Sequence, residues 1–198
     1  MNITLGIVLG IIWLYVLRIL TKAKLFAWKY VWGSCGLFIF MMIYVRPVTM
    51  MPLAQVVASI AGILGTFTGC YESYFKYGVI FVDSVQGSIS LVIDFECSGI
   101  LEIMTYLCLL IFYEVYNHYE RAMLCIVGTT YIILANALRI AMICFIIYFA
   151  GTDAYHIAHT YIGRIFFYVI SIILYFMVFT RSHIIRQKIG GFSYGASK

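Results

Sequence analysis

The longest apolar stretch of the chain is AMLCIVGTTYIILANALRIAMICFIIYFA, residues 122–150. It exceeds the ~20 residues that an α-helix needs to cross a ~30 Å hydrocarbon layer. Its only charged side chain is that of Arg139. Because a charge in hydrocarbon is costly, Arg139 must face a polar cavity or pair with an anion. The stretch therefore predicts one membrane-spanning helix of a bundle.

The composition of the whole chain indicates the same class of protein. Hydrophobic residues make up 64% of the 198 residues and charged residues only 11%, whereas soluble domains have about 45–50% and about 25%. This composition excludes a soluble enzyme, a disordered chain and a nucleic-acid-binding protein, although the net charge is +5. We expect a single membrane domain over residues 1–198, with an all-α polytopic fold.

Four further apolar runs are candidates for membrane spans. They cover residues 3–20, 30–45, 97–116 and 159–180. Arg46-Pro47 is expected to end the second run, and the segment 48–67 is predicted to be an interfacial or a transmembrane helix. The fold is therefore predicted to be a bundle of five or six transmembrane helices. No basic residue precedes the first run and no small-residue cleavage site follows it, so we expect no removable signal peptide.

Residues 70–95 have a different pattern. Residues 79–85 are rich in β-branched and aromatic side chains, and apolar residues alternate with others over 89–95. A period of two is typical of a strand, and Gln86-Gly87-Ser88 is a plausible turn. We predict a β-hairpin that lies outside the hydrocarbon region, since its edges would be unpaired in lipid. The hairpin serves either as a structural cap or as a guide for an extended peptide by strand addition.

The basic residues lie beside the apolar runs, as they do in proteins whose orientation follows the positive-inside rule. They form two groups: Arg18, Lys22, Lys24 and Lys29, and Arg181, Arg186 and Lys188. The rule places the tail 181–198 in the cytoplasm, together with the loops 21–29 and 117–121. The loop 151–158 and the hairpin are then external. This arrangement needs five crossings, because a full crossing by 48–67 would put the loop 21–29 outside.

The cysteines and histidines give no indication of a bound cofactor. The six cysteines form no CxxC pair and have no metal-ligand spacing, so neither a disulfide framework nor a metal site is expected. A haem held by histidines is disfavoured, because the topology places His118 and His183 on the opposite side from His156 and His159. We therefore expect no metal and no cofactor.

Three side chains from successive spans are candidates for function. Arg139 lies about 25 Å above the start of its helix, in the outer part of the bilayer; it is either functional or structurally paired. Cys97 opens its span, where a helix N-terminus would lower the pKa of the thiol, unless it is an ordinary interfacial cysteine. His159 opens the last span, with His156 as a rival on geometry and an inert role as the alternative.

The predicted topology brings these three side chains to one external layer. A thiolate is a nucleophile, and an imidazole can carry its proton to a leaving amine. A fixed cation can stabilise the oxyanion of a tetrahedral intermediate. Together they are suited to acyl transfer through a thioester.

The segments around these residues resemble the three signature segments of the exosortase/archaeosortase family. They are Glu96-Cys-Ser-Gly-Ile100, Asn136-Ala-Leu-Arg-Ile140 and His159-Thr-Tyr-Ile-Gly163. The order and the spacing fit, and the resemblance runs from about residue 50 to residue 180. The chain is shorter than many members of the family and looks most like the short variants of Gram-positive bacteria.

The resemblance implies a membrane-embedded cysteine protease or transpeptidase. It implies Cys97 as nucleophile, Arg139 as essential cation and His159, rather than His156, as acid and base. The implied partner is a membrane-anchored protein with a C-terminal sorting signal, made of a short motif, a transmembrane helix and a basic tail. The implied location is the plasma membrane with the active site at the external face. The sequence identifies neither the cleavage motif nor the acyl acceptor.

Four residues near the trio are possible supporting residues: Glu96, Ser98, Asn136 and Gly163. Asn136 would orient Arg139 or bond a neighbouring helix, and Glu96 would tune the thiol or pair with Arg139. Gly163 would let a helix or a substrate backbone come close. Arg164, next in sequence, would help to bind an acidic group.

A second hypothesis is a non-enzymatic membrane protein, either a transport subunit or a scaffold for envelope assembly. Arg139 would then bind an anionic solute or a lipid head group. A chain that functions normally without Cys97 would favour this hypothesis.

Overall fold

The computed structural model describes residues 3–84 and 87–181. The predicted cytoplasmic tail from residue 182 onward, and Gln86 of the predicted turn, lie outside the described residues. The described chain is mostly helical with one small sheet, which confirms the predicted all-α polytopic fold. Three helices in these ranges are long and apolar enough to cross a membrane, Phe26–Thr68, His118–Ala150 and Thr152–Thr180.

The helices run back and forth between two ends of a bundle. They are α1 (Ile3–Lys22), α2 (Phe26–Phe40), α3 (Arg46–Thr68), α4 (Ile100–Phe112), α5 (His118–Ala150), α6 (Tyr155–Ile157) and α7 (Gly163–Tyr175). Wider π-helical turns over Met41–Val45 and Ala158–Ile162 join α2 to α3 and α6 to α7, and Phe176–Arg181 extends α7. In the described part of the chain this gives five passes: α1, α2–α3, α4, α5 and α6–α7.

The expected break at Arg46-Pro47 is wrong. Residues Phe26–Thr68 form one continuous helix of 43 residues, which is about 65 Å long at ~1.5 Å per residue. A π-helical turn, Met41–Val45, directly precedes Arg46 and Pro47, so the regular hydrogen-bond ladder is already interrupted where the proline lacks its N–H. The segment 48–67 is therefore helical, as predicted, but continues the helix of the second pass without a break.

The boundaries of α4 and α5 also differ from the prediction. The predicted span 97–116 contains only the short helix α4, Ile100–Phe112. α5 begins at His118, four residues before the predicted start, because Asn117 and Glu120 form a reciprocal capping box. The nonhelical residues between them turn the chain back into the bundle.

The predicted hairpin is present within a three-stranded antiparallel sheet. Its strands are β1 (Glu72–Tyr74), β2 (Val79–Ser84) and β3 (Gly87–Val92), in the order β1-β2-β3. Gly87 and Ser88, which were predicted in the turn, pair with Ser84 and Asp83 and belong to β3. The three residues of β1 were not predicted, because they are too few to show alternation.

Two apolar cores lie along α5. Near its N-terminal half, residues of α4, α5 and the last helix pack together, among them Tyr106, Leu110, Ile132 and Phe167. Near its C-terminal half, α3 and the sheet pack on α5 through residues such as Ala58, Ile80, Val82 and Cys144. α5 therefore joins the bundle to the part of the molecule that carries the sheet.

One end of the bundle joins three parts of the chain. Lys29 at the start of α2 forms an ion pair with Glu114, 2.5 Å away. The hydroxyl groups of Tyr113 and Tyr116 donate to backbone carbonyls at the end of the last helix. We call this the Lys29 end, and the opposite end, where the sheet lies, the sheet end.

Close packing of α4 on α5 depends on Gly128. Tyr106 lies directly against this glycine and donates a hydrogen bond to the carbonyl of Leu124 at 2.8 Å. A Cβ at position 128 would lie 2.2 Å from the Tyr106 ring.

We predict that Gly128→Ala lowers the free energy of unfolding by about 1–3 kcal/mol, because the added methyl group would collide with the Tyr106 ring. Thermal unfolding in detergent measures this change.

The matched control is Gly10→Ala in α1, since a Cβ there meets nothing within 4 Å. Alanine is the better helix former, so this variant should be as stable as the parent protein or slightly more stable. Equal unfolding midpoints for the two variants would contradict the close α4–α5 contact.

Candidate active site

Cys97 lies in the loop 94–99, which connects β3 to α4 and which we call the Cys97 loop. The prediction that Cys97 opens a helix is wrong, because α4 begins at Ile100 after Gly99, whose φ is +76°. Instead, the carboxylate of Asp94 accepts the backbone N–H groups of Glu96 and Cys97, each at 3.1 Å. The loop is thus a carboxylate-stabilised turn, and Cys97 precedes α4 instead of belonging to its first turn.

Two buried polar side chains fix the Cys97 loop through hydrogen bonds. The amide of Asn136 on α5 donates to the carbonyl of Cys97 at 2.5 Å. Ser98 is fully buried, and its hydroxyl donates to the carbonyl of Phe95 at 3.2 Å. Asn136 therefore bonds to the Cys97 loop, and its Oδ1 has no hydrogen-bond partner within the described residues.

The last helix brings His159 to the thiol. Sγ of Cys97 and Nε2 of His159 are 2.8 Å apart. His159 does not open its helix as predicted, but follows the turn Thr152–Ala154 and the short helix Tyr155–Ile157. The ring of Tyr155 stacks on the imidazole, with centroids 5.4 Å apart.

His156, the rival on sequence grounds, lies on another face of the same helix. It is exposed, and its ring contacts Tyr161, which is 58% exposed. The structure therefore brings His159, and not His156, to Cys97.

Arg139 is 4% exposed and lies beside the Cys97 loop. Its Nη1 donates a long hydrogen bond of 3.5 Å to the carbonyl of Glu96, and its guanidinium lies 5.6 Å from the centre of the Phe167 ring. Its Nε has no hydrogen-bond partner, and no carboxylate of the described residues lies within 4 Å of it. Within the described ranges, the cation is held by carbonyl and aromatic groups and is not neutralised by a contacting anion.

The carboxylate of Glu96 pairs with Arg164 and not with Arg139. The ion pair to Arg164 on α7 measures 3.2 Å, and both side chains are substantially exposed. An exposed pair of this kind contributes little to stability. Its position still links the Cys97 loop to the helix that carries His159.

Gly163 allows the last helix to approach α5. A Cβ at this position would lie 2.9 Å from Ile143 Cδ1 and 3.3 Å from Arg139 Nε. The glycine therefore permits a close helix contact next to the cation, which is one of the two uses expected for it.

Burial raises the pKa of the Cys97 thiol to about 11. The Arg139 cation opposes this effect, and the nearby carboxylate of Asp94 adds to it. The expected lowering of the pKa by a helix N-terminus is therefore wrong. At pH 7 only about one thiol in ten thousand is ionised, so a base must take its proton, and Nε2 of His159 is within hydrogen-bond distance.

Two charged residues near the site were missed by the sequence interpretation. Glu102, in the first turn of α4, is half-buried and interacts electrostatically with Arg139. The criterion that selected Arg139, a charge within an apolar run, would also have selected it. The guanidinium of Arg46 lies 3.7 Å from the centre of the Phe95 ring and so supports the Cys97 loop; the sequence suggested only a helix stop there.

The raised pKa of the Cys97 thiol predicts how its reactivity depends on pH. Below the pKa, the thiolate fraction grows tenfold with each pH unit, so iodoacetamide should alkylate Cys97 about tenfold faster per unit from pH 7 to pH 10. Peptide mass spectrometry after timed alkylation measures this rate. Arg139→Leu should be slower than Arg139→Lys at each pH, because the cation lowers the pKa. A rate that is already independent of pH near 7 would contradict a neutral thiol.

Comparison with known families agrees with the architecture of a membrane protein. No curated protein and no solved structure shows a significant match to the chain. Residues 2–176 match the family described as transmembrane exosortase (Exosortase_EpsH), which covers most of the chain. The chain therefore belongs to the transmembrane exosortase family.

Proposed function

We propose that the protein is a membrane-embedded cysteine protease or transpeptidase that cleaves C-terminal sorting signals of exported proteins. The observation that carries this proposal is the 2.8 Å contact between Cys97 Sγ and His159 Nε2, beside the buried guanidinium of Arg139. The membership in the exosortase family supports the same chemistry. The three residues come from three separate segments that meet only in the folded chain.

The first half of the reaction forms a thioester. Nε2 of His159 takes the thiol proton as the sulfur of Cys97 attacks the scissile carbonyl. The C–N bond then breaks, and the imidazolium gives the same proton to the departing amine. The protein segment before the scissile bond remains attached to Cys97 as an acyl-enzyme. An amine or water then attacks the thioester, and the thiol regains its proton through His159.

Arg139 stabilises the charge that develops on the scissile oxygen. Its Nε lacks a hydrogen-bond partner and no described carboxylate contacts it, so the guanidinium can donate to an oxyanion. A preorganised cation in a water-poor site is worth more than one in bulk water. The Glu96 carbonyl, which now accepts from Nη1, keeps the guanidinium next to the Cys97 loop.

The proposed setting is the plasma membrane, with the sheet end outside and the Lys29 end in the cytoplasm. The positive-inside rule supports this orientation, because Arg18, Lys22, Lys24 and Lys29 cluster around the α1–α2 turn. The substrate's own transmembrane helix would lie beside the bundle, whose outer surface is strongly apolar. Its cleavage motif would then reach Cys97 at the outer membrane surface.

The non-enzymatic hypothesis has one observation in its favour. A buried arginine without a contacting carboxylate could bind an anionic solute or a lipid head group as its permanent ligand. That hypothesis gives no role to the Cys97–His159 contact. Substitutions at these two residues therefore separate the two functions.

We predict that Cys97→Ala and Cys97→Ser abolish processing, and that His159→Ala slows it by about 10²–10⁴-fold. His156→Ala is the matched control, because this exposed imidazole lies three residues away on another face; it should stay within about twofold of the parent protein. The measurement compares the C-termini of membrane proteins in cells that carry each variant at equal protein levels. Normal processing in Cys97→Ala cells would overturn the cysteine mechanism.

Arg139 provides a separate test of oxyanion stabilisation. We expect Arg139→Ala to lower the rate of processing by about 10²–10³-fold. Arg139→Lys should recover part of this loss, since it restores the charge without the planar fork. Single-turnover formation of the thioester, followed by mass spectrometry, measures the step concerned. Equal activity of the alanine variant and the parent protein would show that the cation does not act in this step.

A further inference from the structure

β3 is an edge strand with one free side. The strand order is β1-β2-β3, and in the described ranges β3 pairs only with β2. At the other edge, β1 is held against α3, where the Ser73 hydroxyl donates to the carbonyl of Ala58 at 2.8 Å. The free backbone groups of β3 therefore form the accessible edge of the sheet.

The register shows which backbone groups of β3 point outward. The N–H of Ile93 donates to the carbonyl of Gly78 at 2.8 Å, so the backbone groups of Ile93 point toward the side on which β2 lies. Hydrogen-bonded and non-hydrogen-bonded positions alternate in an antiparallel pair. The N–H and C=O groups of Ser88, Ser90 and Val92 therefore point away from β2, and all three residues are exposed.

This edge lacks charged residues and proline, two common protections of an edge strand against pairing. Natural edge strands are commonly blunted by charged residues, proline, a bulge or very short length. β3 has six residues, Gly-Ser-Ile-Ser-Leu-Val, with no charged residue and no proline. Such an edge favours hydrogen bonding to the backbone of another extended chain.

The free edge leads directly into the candidate active site. β3 ends at Val92, and Cys97 follows five residues later, in the turn that connects β3 to α4. The turn Thr152–Ala154, which precedes the helix of His159, contacts β3 as well. An extended chain along β3 would therefore arrive near the pair formed by the nucleophile and its proposed base.

We propose that the outer edge of β3 binds the substrate segment that precedes the scissile bond, as an added parallel strand. The proposal rests on the proposed function. In that function, the substrate's membrane helix follows the scissile bond, so the segment before that bond must lie toward the sheet end. A chain that runs from the sheet past Cys97 and into the membrane has the direction of β3 itself. Pairing through main-chain groups holds the peptide extended, and its side chains provide the selectivity.

Ser90→Pro tests the pairing directly. Proline removes the outward N–H of residue 90, and an edge strand tolerates it because that N–H has no partner within the sheet. The comparison variant, Ser90→Ala, changes the side chain and keeps the N–H. The probe is the uncleaved form of a membrane protein whose processing requires Cys97, purified in detergent from Cys97→Ala cells. We expect Ser90→Pro to process this probe at least about tenfold more slowly than Ser90→Ala.

The rate of Cys97 alkylation by iodoacetamide at pH 9 reports whether the variant retains its fold and its site. It should be the same in Ser90→Pro and Ser90→Ala. If alkylation is equal and processing is equal, the edge proposal is overturned while the cysteine mechanism stands. If no protein requires Cys97 for processing, the proposed function fails, and the edge proposal fails with it.

A photoreactive side chain at position 92 provides a second measurement, which holds even if Ser90→Pro fails to fold. In the Cys97→Ala protein, a benzoylphenylalanine at this position should crosslink to the added probe. The same label at Tyr74, on β1, should not, since β1 lies at the opposite edge of the sheet. Crosslinks only between two copies of the protein would overturn the proposal in favour of pairing between their β3 edges.

Discussion

Two neighbouring carbonyl groups of the Cys97 loop are held by one turn of α5. Asn136 donates to the carbonyl of Cys97, and Arg139, three residues on, donates to that of Glu96. Both donors are buried, where an unpaired polar group is costly. The same short helical segment therefore sets the position of the thiol and of the cation. In return, the carbonyl groups of the Cys97 loop accept some of the hydrogen bonds that Asn136 and Arg139 can donate.

The protonation state of the thiol depends on this packing. A loop pressed onto α5 buries Cys97, and burial keeps the thiol protonated at neutral pH despite the nearby cation. His159, the base proposed for this thiol, arrives from a different helix. Gly163 allows the close contact of that helix with α5. The reactive pair is thus a product of tertiary packing and not of a local motif.

The features that could be predicted from the sequence depend on composition and on single residues whose burial costs much free energy. Apolar runs locate most of the helices, and the charge at Arg139 stands out because burial makes it expensive. The start of α4 and the continuity of α2 with α3 were missed, because local signals such as Pro47 and Cys97 do not reveal a π-helical turn or a carboxylate-stabilised loop. Glu102, a charge within an apolar run like Arg139, could have been selected by the same criterion, and only its electrostatic interaction with Arg139 needed the structure.

The order of elements around Cys97 suggests how a helix-anchored substrate would be accommodated. From Gly87 onward, the chain passes from an extended strand through the Cys97 loop into the apolar helix α4. Under the proposed function, a substrate has the same order: an extended motif, a scissile bond and a membrane helix. A substrate chain lying parallel to this segment would meet the free backbone groups of β3 first, then the thiol of Cys97, and then the apolar surface of α4. This order matches the order of its own parts. One continuous stretch of the protein would thus guide both the soluble and the membrane parts of its substrate.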